Sequence, residues 1–389
     1  VRDVFSLDPA ITHLNHGSFG AVPRVVWEAQ RRVREHAETN PMRFFRLEQP
    51  GRVNEARHVA AGLLGVDQDD LALVKNVTEA IATALASLQR SGRFGAGDVV
   101  IVNDHGYGAV KLCAERWCER YGVALDVVAL PLVFTDDEAV ELHRTAIAEA
   151  EARGLRVALV VIDAVTSPTG IALPVRALAR LAREHGATSF VDAAHGPGHQ
   201  DVSPASTRAD FWAGTFHKWA FSPRGAAAFW VTESMRDQVE PVTTSWNRDQ
   251  VFPGNFDFRG TDDYSGWMSL GAAVGFWRDI GGFDAVQKRS AFLDEMAALV
   301  RQAASPEAVE LPARPAPCLR LVPLPDGVAS SVESADGLYV ELSRRKIECQ
   351  VVAWGGRGFI RLSAAPYNRA DDYEILAQAL PTCQDLARP

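Results

Sequence analysis

Between Leu71 and Val231 short apolar runs alternate with helix-length amphipathic stretches, and no other feature of this 389-residue chain restricts its fold so strongly. The runs are Leu71–Val74, Val99–Val102, Leu125–Leu130, Val157–Ile162, Thr188–Val191, Phe211–Ala213 and Ala226–Val231. Between them lie stretches such as Thr78–Gln89, Val110–Tyr121, Asp137–Ala152 and Val175–His185. A strand covered by helices on both faces has no wet side, so it reads as a continuous apolar run. The pattern predicts an α/β fold with a mostly parallel sheet. In such folds ligands collect beyond the carboxyl ends of the strands. The residues directly after each run are therefore the first place to look for chemistry.

The rest of the chain is arranged around that core. Residues 1–20 read as an N-terminal arm ending in Asn15-His16-Gly17-Ser18-Phe19-Gly20, whose glycines let backbone approach another surface closely. Pro23 opens a helical pattern through His36, and a second covers Val53–Leu64. A large domain is expected over 21–255 and a smaller C-terminal α/β domain over 256–389. The latter starts with a helical stretch, Trp267–Leu299, broken at Gly281-Gly282. Then come the Pro-rich Leu311–Pro317, strands at Cys318–Pro323, Ile347–Val352 and Phe359–Ser363, and helices at Ser334–Arg344 and from Asp371.

Bulk properties remove several classes. A net charge of −9 argues against a nucleic-acid-binding face. No apolar run reaches the roughly 18 residues of a membrane span. Val1–Ala10 lacks a signal-peptide core, so a cytoplasmic protein is expected. The five cysteines are odd in number and irregular in spacing, which speaks against disulfides, and none has zinc-ligand spacing, so no metal is expected.

Lys218 follows the run Phe211–Ala213 and is flanked by Phe216, His217 and Trp219. A lysine forms a Schiff base only if it can reach a carbonyl and lose its proton, and aromatic neighbours favour both over a solvated surface position. Asp192 ends another apolar run, in Phe190-Val191-Asp192-Ala193-Ala194-His195. A pyridinium nitrogen would satisfy its carboxylate, and so would a helix amino terminus; on the residues alone the two stand even.

A phosphate is held by backbone N–H groups at a helix start and by nearby hydroxyls. Lys75-Asn76-Val77-Thr78-Glu79 offers this, with Glu79 out of place for the usual capping box, and Thr215 and His217 add possible donors. An aromatic ring to stack on a planar ligand would come from Asp104-His105-Gly106-Tyr107-Gly108; Tyr107 is preferred, His105 is the rival, and a plain turn is the alternative for both. Arg361, in Phe359-Ile360-Arg361-Leu362-Ser363, suits a carboxylate or a strand-face salt bridge.

Together these residues resemble the class V aminotransferase family, and within it the isopenicillin N epimerase-like and hercynylcysteine sulfoxide lyase-like branch. The matching stretches run along nearly the whole chain: Leu14–Gly20, Asn40–Phe45, Asn76–Thr78, Asp104–Ala109, Thr166–Gly170, Val191–His195, His217–Trp219, Gly260–Asp263 and Ile360–Ser363 with Tyr367-Asn368. The resemblance implies the pyridoxal-5′-phosphate (PLP) transferase fold of type I, PLP as cofactor and a homodimer with shared active sites. It implies that Lys218 is the Schiff-base lysine and moves the α-carbon proton, Asp192 pairs with the pyridine nitrogen and Tyr107 stacks on the ring. Ser167 and His195 would lie near the ring hydroxyl. Val77, Thr78, Thr215 and His217 would hold the phosphate, with Thr261 reaching the phosphate of the other subunit. Arg361 would bind the substrate carboxylate, and Asn15, His16 and Arg43 would line the entrance.

The expected reaction starts at the α-carbon of an amino acid, and β-elimination from an S-substituted cysteine is the leading expectation. Epimerisation is the alternative and needs a second acid, for which His16, His105 and Tyr264 are candidates. Decarboxylation-coupled oxidation, transamination and a catalytically silent scaffold follow. An aromatic entrance of Phe44, Phe45, Trp246 and Trp354 is expected. Cys349 precedes Arg361 but sits in a strand pattern, and the loop expected at Ala353–Gly358 has no thiol, which disfavours a desulfurase.

Overall fold

The computed structural model describes residues 1–304 and 309–384. Strand β1 (Thr12–His13) stands apart from the main sheet. That sheet is built from β2 (Leu71–Val74), β3 (Asp98–Asn103), β4 (Ala124–Val128), β5 (Arg156–Asp163), β6 (Thr188–Asp192), β7 (Phe211–Thr215) and β8 (Ala227–Val231). Its order is β2-β8-β7-β6-β5-β3-β4. The five strands from β7 to β4 are parallel, and β8 runs against both its neighbours. All seven apolar runs are strands of this sheet. The run expected to reach Leu130 stops at Val128, because the Leu130 N–H leaves the ladder to donate to the Asp104 carboxylate (3.0 Å).

Side chains alternate across the sheet, as the pleat requires. Leu71, Leu73, Val99 and Ile101 face one apolar layer with the helices Gln49–Leu64, Asp136–Ala152 and Val175–Glu184. Ala72, Val74, Val100 and Val102 face the other, with the helices Val77–Arg90 and Gly108–Tyr121. Every strand of the parallel part thus ends between two helical layers, and its carboxyl end opens on one common edge.

The C-terminal part carries β9 (Leu319–Pro323), β10 (Ile347–Glu348), β11 (Gln350–Trp354) and β12 (Arg357–Ser363). Three of these form an antiparallel sheet in the order β11-β12-β9. The N-terminal arm is tied to this part: β1 pairs in parallel with β10, and Leu14 is buried with Leu293, Leu338 and Leu380. The packing does not change at residue 256, since Tyr264, Trp267 and Leu270 share one core with Val53 and Leu73. The long helical stretch is three helices, Ser265–Met268, Leu270–Asp279 and Gly282–Ala304, with the expected break at Gly281 and Gly282, both at positive φ. The loop expected at Ala353–Gly358 is instead a hairpin, in which β11 pairs with β12 through Trp354 and Arg357 and only Gly355 and Gly356 make the turn. Two glycines at positive φ allow so tight a connection.

Candidate active site

At the common strand edge lies a cavity of about 600 Å³. After β2, Asn76, Val77 and Thr78 line it, Val77 and Thr78 at the start of a helix; after β3, Gly106, Tyr107 and Gly108; at the end of β7, Thr215, and after it His217 and Lys218. Ser167 and Pro168 close one side, and Arg361 from β12 joins from the C-terminal sheet with Gln350 and Val352. A larger cleft of about 750 Å³ opens elsewhere, edged by Arg176, Arg180 and Arg183. It contains no lysine, so the amine chemistry belongs to the smaller cavity.

Lys218 is held by its surroundings at two points. Its carbonyl accepts from His16 Nε2 (2.9 Å), and its Nζ lies 3.1 Å from His195 Nε2. Gly20 presses on the same loop: a Cβ there would stand 1.9 Å from the His217 carbonyl oxygen, and its φ is +66°. This is the close backbone approach that the arm's glycines suggested. Burial lowers the lysine from 10.5 to about 7; the Asp192 charge opposes that shift and the Arg361 charge adds to it. A group titrating near neutrality can give up and retake a proton at little cost.

Asp192 closes β6. One carboxylate oxygen accepts from the Ala194 N–H (2.9 Å), and the other is buried without a partner. No helix begins there, so the helix-cap alternative falls. Burial raises its pKa. Beside it, in register on β5, is Asp163, which takes hydrogen bonds from Asn103 (2.8 Å) and the Tyr107 backbone. Burial, then the Asp192 charge, push Asp163 up to about 7. The sequence reading did not single out Asp163; its place at the end of the run Val157–Ile162 was the available signal.

Arg361 is buried and gathers the site's edge. It donates to the Ser167 carbonyl, to Asn15 Oδ1 (3.2 Å) and to Ser18 Oγ (3.1 Å), while its Nε–H is unpartnered. His217 Nδ1 is also buried and unpartnered, and burial lowers that imidazole to about 4. Asn76 caps the helix Val77–Arg90 by accepting from the Glu79 N–H (2.9 Å). Glu79 does reach back, but to the Lys75 N–H (2.8 Å) rather than to Asn76, and it pairs with Arg259.

Other expected residues lie elsewhere. His16 does not line the entrance: it is buried behind the lysine, with Nδ1 3.2 Å from the Tyr367 hydroxyl, and burial lowers it to about 4. Arg43 stands outside the cavity, paired with Glu48 (3.0 Å). Thr261 is exposed and does not line this chain's cavity. Thr215 lines it, yet its hydroxyl donates to the Ala194 carbonyl (2.7 Å). His105 is buried between Thr169 (2.7 Å) and the Leu130 carbonyl (3.0 Å), with the Trp354 ring 3.9 Å away. Trp354 therefore packs rather than forming an entrance with the buried Phe44 and the exposed Trp246. Tyr264 donates to the Gly260 carbonyl (2.7 Å) and accepts from the Arg259 N–H (2.8 Å).

The residues fit pyridoxal phosphate on three independent points. An amine of lowered basicity is available for its aldehyde, and a buried carboxylate oxygen without a partner is available for its ring nitrogen. Backbone N–H groups at Val77 and Thr78, at a helix start, are available for its phosphate.

Fold and site thus define an α/β enzyme of the type whose chemistry is centred on a lysine. The model of the family described as Aminotransferase class-V matches residues 21–322, and the chain belongs to that family. Isopenicillin N epimerase of Streptomyces clavuligerus is 30% identical over 395 residues, covering 96% of this chain and 95% of the relative. A probable chloroplastic L-cysteine desulfhydrase of Arabidopsis thaliana is 29% identical over 396 residues, covering 96% and 83%. Among solved structures, a complex of the cystine C-S lyase C-DES with its product cysteine persulfide has the same fold, with a TM-score of 0.77 at 19% identity over 97% of this chain and 98% of that one. A mutant of C-DES with glycine covalently linked to its PLP cofactor superposes with a TM-score of 0.80 at 18% identity, over 99% of both chains.

Proposed function

We propose that this protein is a PLP-dependent C–S lyase that acts at the α-carbon of an S-substituted cysteine-like amino acid. Lys218 would hold the cofactor, Asp192 its ring nitrogen, Tyr107 its ring face, Ser167 and His195 its hydroxyl side. Val77, Thr78 and His217 would hold its phosphate. Bound there, the ring supplies an electron sink for charge released at the α-carbon. Lys218 takes the α-proton, since burial brings its amine to about 7 and so leaves a substantial free-base fraction near neutrality. Arg361 holds the substrate carboxylate and so orients the bond that breaks.

The observation that carries this reading is the set of groups around one amine: Lys218 and Arg361 line one cavity, Arg361 with its Nε–H unpartnered, and the Asp192 carboxylate, one oxygen of which is unpartnered, is near enough for its charge to act on the lysine. Elimination over epimerisation is supported by the fate of the three candidate second acids. None of His16, His105 and Tyr264 lines the cavity, and each is committed to a backbone carbonyl, of Lys218, Leu130 and Gly260 respectively. Epimerisation is the second reading, and it has the epimerase of Streptomyces clavuligerus on its side. Incubation with S-substituted cysteines in heavy water separates the two. Pyruvate, ammonia and a thiol mean elimination; recovered amino acid with deuterium at an inverted α-carbon means epimerisation and overturns the proposal.

A homodimer is part of this reading, with Thr261 serving the neighbouring site. Phe19 (70% exposed), Met42 (72%), Trp246 (90%) and Val251 (81%) leave apolar surface to be covered. No helix among the described residues is long and apolar enough to cross a membrane. The five unpaired cysteines suit a reducing compartment such as the cytoplasm.

A further inference from the structure

Capture of an aldehyde needs Lys218 as a free base, and the hydrogen-bond directions around it show a device that would keep it so. An indole N–H can only donate. Trp219 Nε1 lies 3.1 Å from His195 Nδ1, so that ring nitrogen accepts. Neutral His195 then carries its proton on Nε2, which lies 3.1 Å from Lys218 Nζ. A donor at that distance requires a lone pair on the amine, and an ammonium group has none.

The frame around this pair is set in the same way. The Cys318 backbone N–H donates to His199 Nε2 (2.9 Å), which leaves His199 Nδ1–H to donate to the His195 carbonyl (3.1 Å). Trp219 stacks on His199 with ring centres 4.2 Å apart and planes 12° apart. Gly17 packs beside the pair: a Cβ there would stand 3.4 Å from Trp219 and 3.5 Å from His195, in ordinary contact, and 3.1 Å from Leu319. Trp219, His195 and His199 are all buried. A doubly protonated His195 would point N–H at N–H against Trp219.

We propose that Trp219 is a positioning residue: it locks His195 in the Nε2–H tautomer, so that His195 donates to the Lys218 amine and holds it unprotonated for cofactor capture. This rests on the proposed role of Lys218. In capture the amine lone pair forms the C–N bond, and the aldehyde oxygen leaves as water with both amine protons. The other charges facing Lys218 pull in both directions, Asp192 toward the ammonium form and Arg361 away from it. His217, His199 and His16 are kept neutral by burial and add no net charge at neutral pH.

Two measurements test the lock. Nitrogen-15 NMR of the histidine-labelled, cofactor-free protein is expected to show His195 protonated on Nε2 alone. Protonation on Nδ1, or on both nitrogens, overturns the proposal. Trp219→Phe removes the donor and keeps a ring on His199. The rate at which the cofactor-free variant captures PLP, followed by visible absorbance across pH, should have its midpoint raised by about one pH unit, or about fivefold slower capture at pH 7. A variant with the wild-type midpoint also overturns the lock. Wild-type protein that captures no PLP at any pH would sink the cofactor assignment instead, and the NMR spectrum would still decide the tautomer.

Discussion

Asp163 and Asp192 stand side by side at the carboxyl ends of adjacent parallel strands, two buried carboxylates in register with each other. Both have raised proton affinity, and Asp163 reaches about 7. Like charges this close in a dry site do not both ionise readily, so the pair keeps a proton that the unfolded chain would release. The folded protein binds that proton up to about pH 7, whereas an unfolded Asp loses it near 3.8. Stability from this source is therefore complete below about pH 4 and drains away as the pH rises through 7. Asp163→Asn keeps the shape and drops the titration. In cofactor-free protein its melting temperature should gain on the wild type steadily between pH 4 and 7. Parallel melting curves for the two proteins across that range would show that Asp163 does not hold the proton.

Gly20 offers a mechanical test of how the arm supports the lysine. Alanine there would be held at φ 66°, ψ 149°, a region open essentially only to glycine and costing about 1–3 kcal/mol, and would drive its Cβ into the His217 carbonyl. The lysine loop must move to make room. Gly20→Ala should lower the melting temperature and weaken the visible band of bound PLP together. A variant that melts lower yet binds PLP as tightly as the wild type would separate the arm from the site.

The main sheet was legible because each strand is buried on both faces, which makes an apolar run and its boundaries visible in one dimension. Lys218, Asp192 and Tyr107 were legible for the same reason, as polar residues placed where such runs end. Arg361 came from its strand pattern. What was hidden depends on pairing across long sequence distance. Nothing in Thr12-His13 announces that it pairs with Ile347-Glu348, and nothing in His16 announces that it bonds the Lys218 carbonyl rather than a substrate. Asp163 was missed because an aspartate ending a run looks the same whether its neighbour on the next strand is charged or apolar. The hairpin of β11 and β12 was read as a loop because its two glycines outweigh the short strand residues on either side.

Arg361 should act on binding more than on turnover. Its guanidinium holds Ser167, Asn15 and Ser18 in place and keeps one N–H free. Lysine in its place keeps a positive charge and loses the fork, so the substrate carboxylate loses about one charge-assisted hydrogen bond. At about 1.5–3 kcal/mol that is a rise of roughly 10- to 100-fold in KM for Arg361→Lys, with kcat changed much less. Steady-state kinetics with the best substrate would check it. An unchanged KM with a collapsed kcat would mean that Arg361 serves the site's shape and not the carboxylate.

Cys349 tests elimination against persulfide chemistry. Its thiol is buried between β10 and β11, in one core with Leu14, Leu342 and Ile360, and burial pushes it up to about 12. A thiol so far from ionising at neutral pH is a poor nucleophile. The turn at Gly355-Gly356 carries no sulfur toward the cavity either. Cys349→Ala should therefore retain turnover within about twofold while losing about 1 kcal/mol of stability to the vacated core volume. Folded wild-type protein should also keep its activity after treatment with iodoacetamide, since Cys118 and Cys318 are likewise buried and pushed up to about 12. If Cys349→Ala folds, binds PLP and releases no sulfur product, the sulfur passes through that thiol, and the elimination route that needs only Lys218 is wrong.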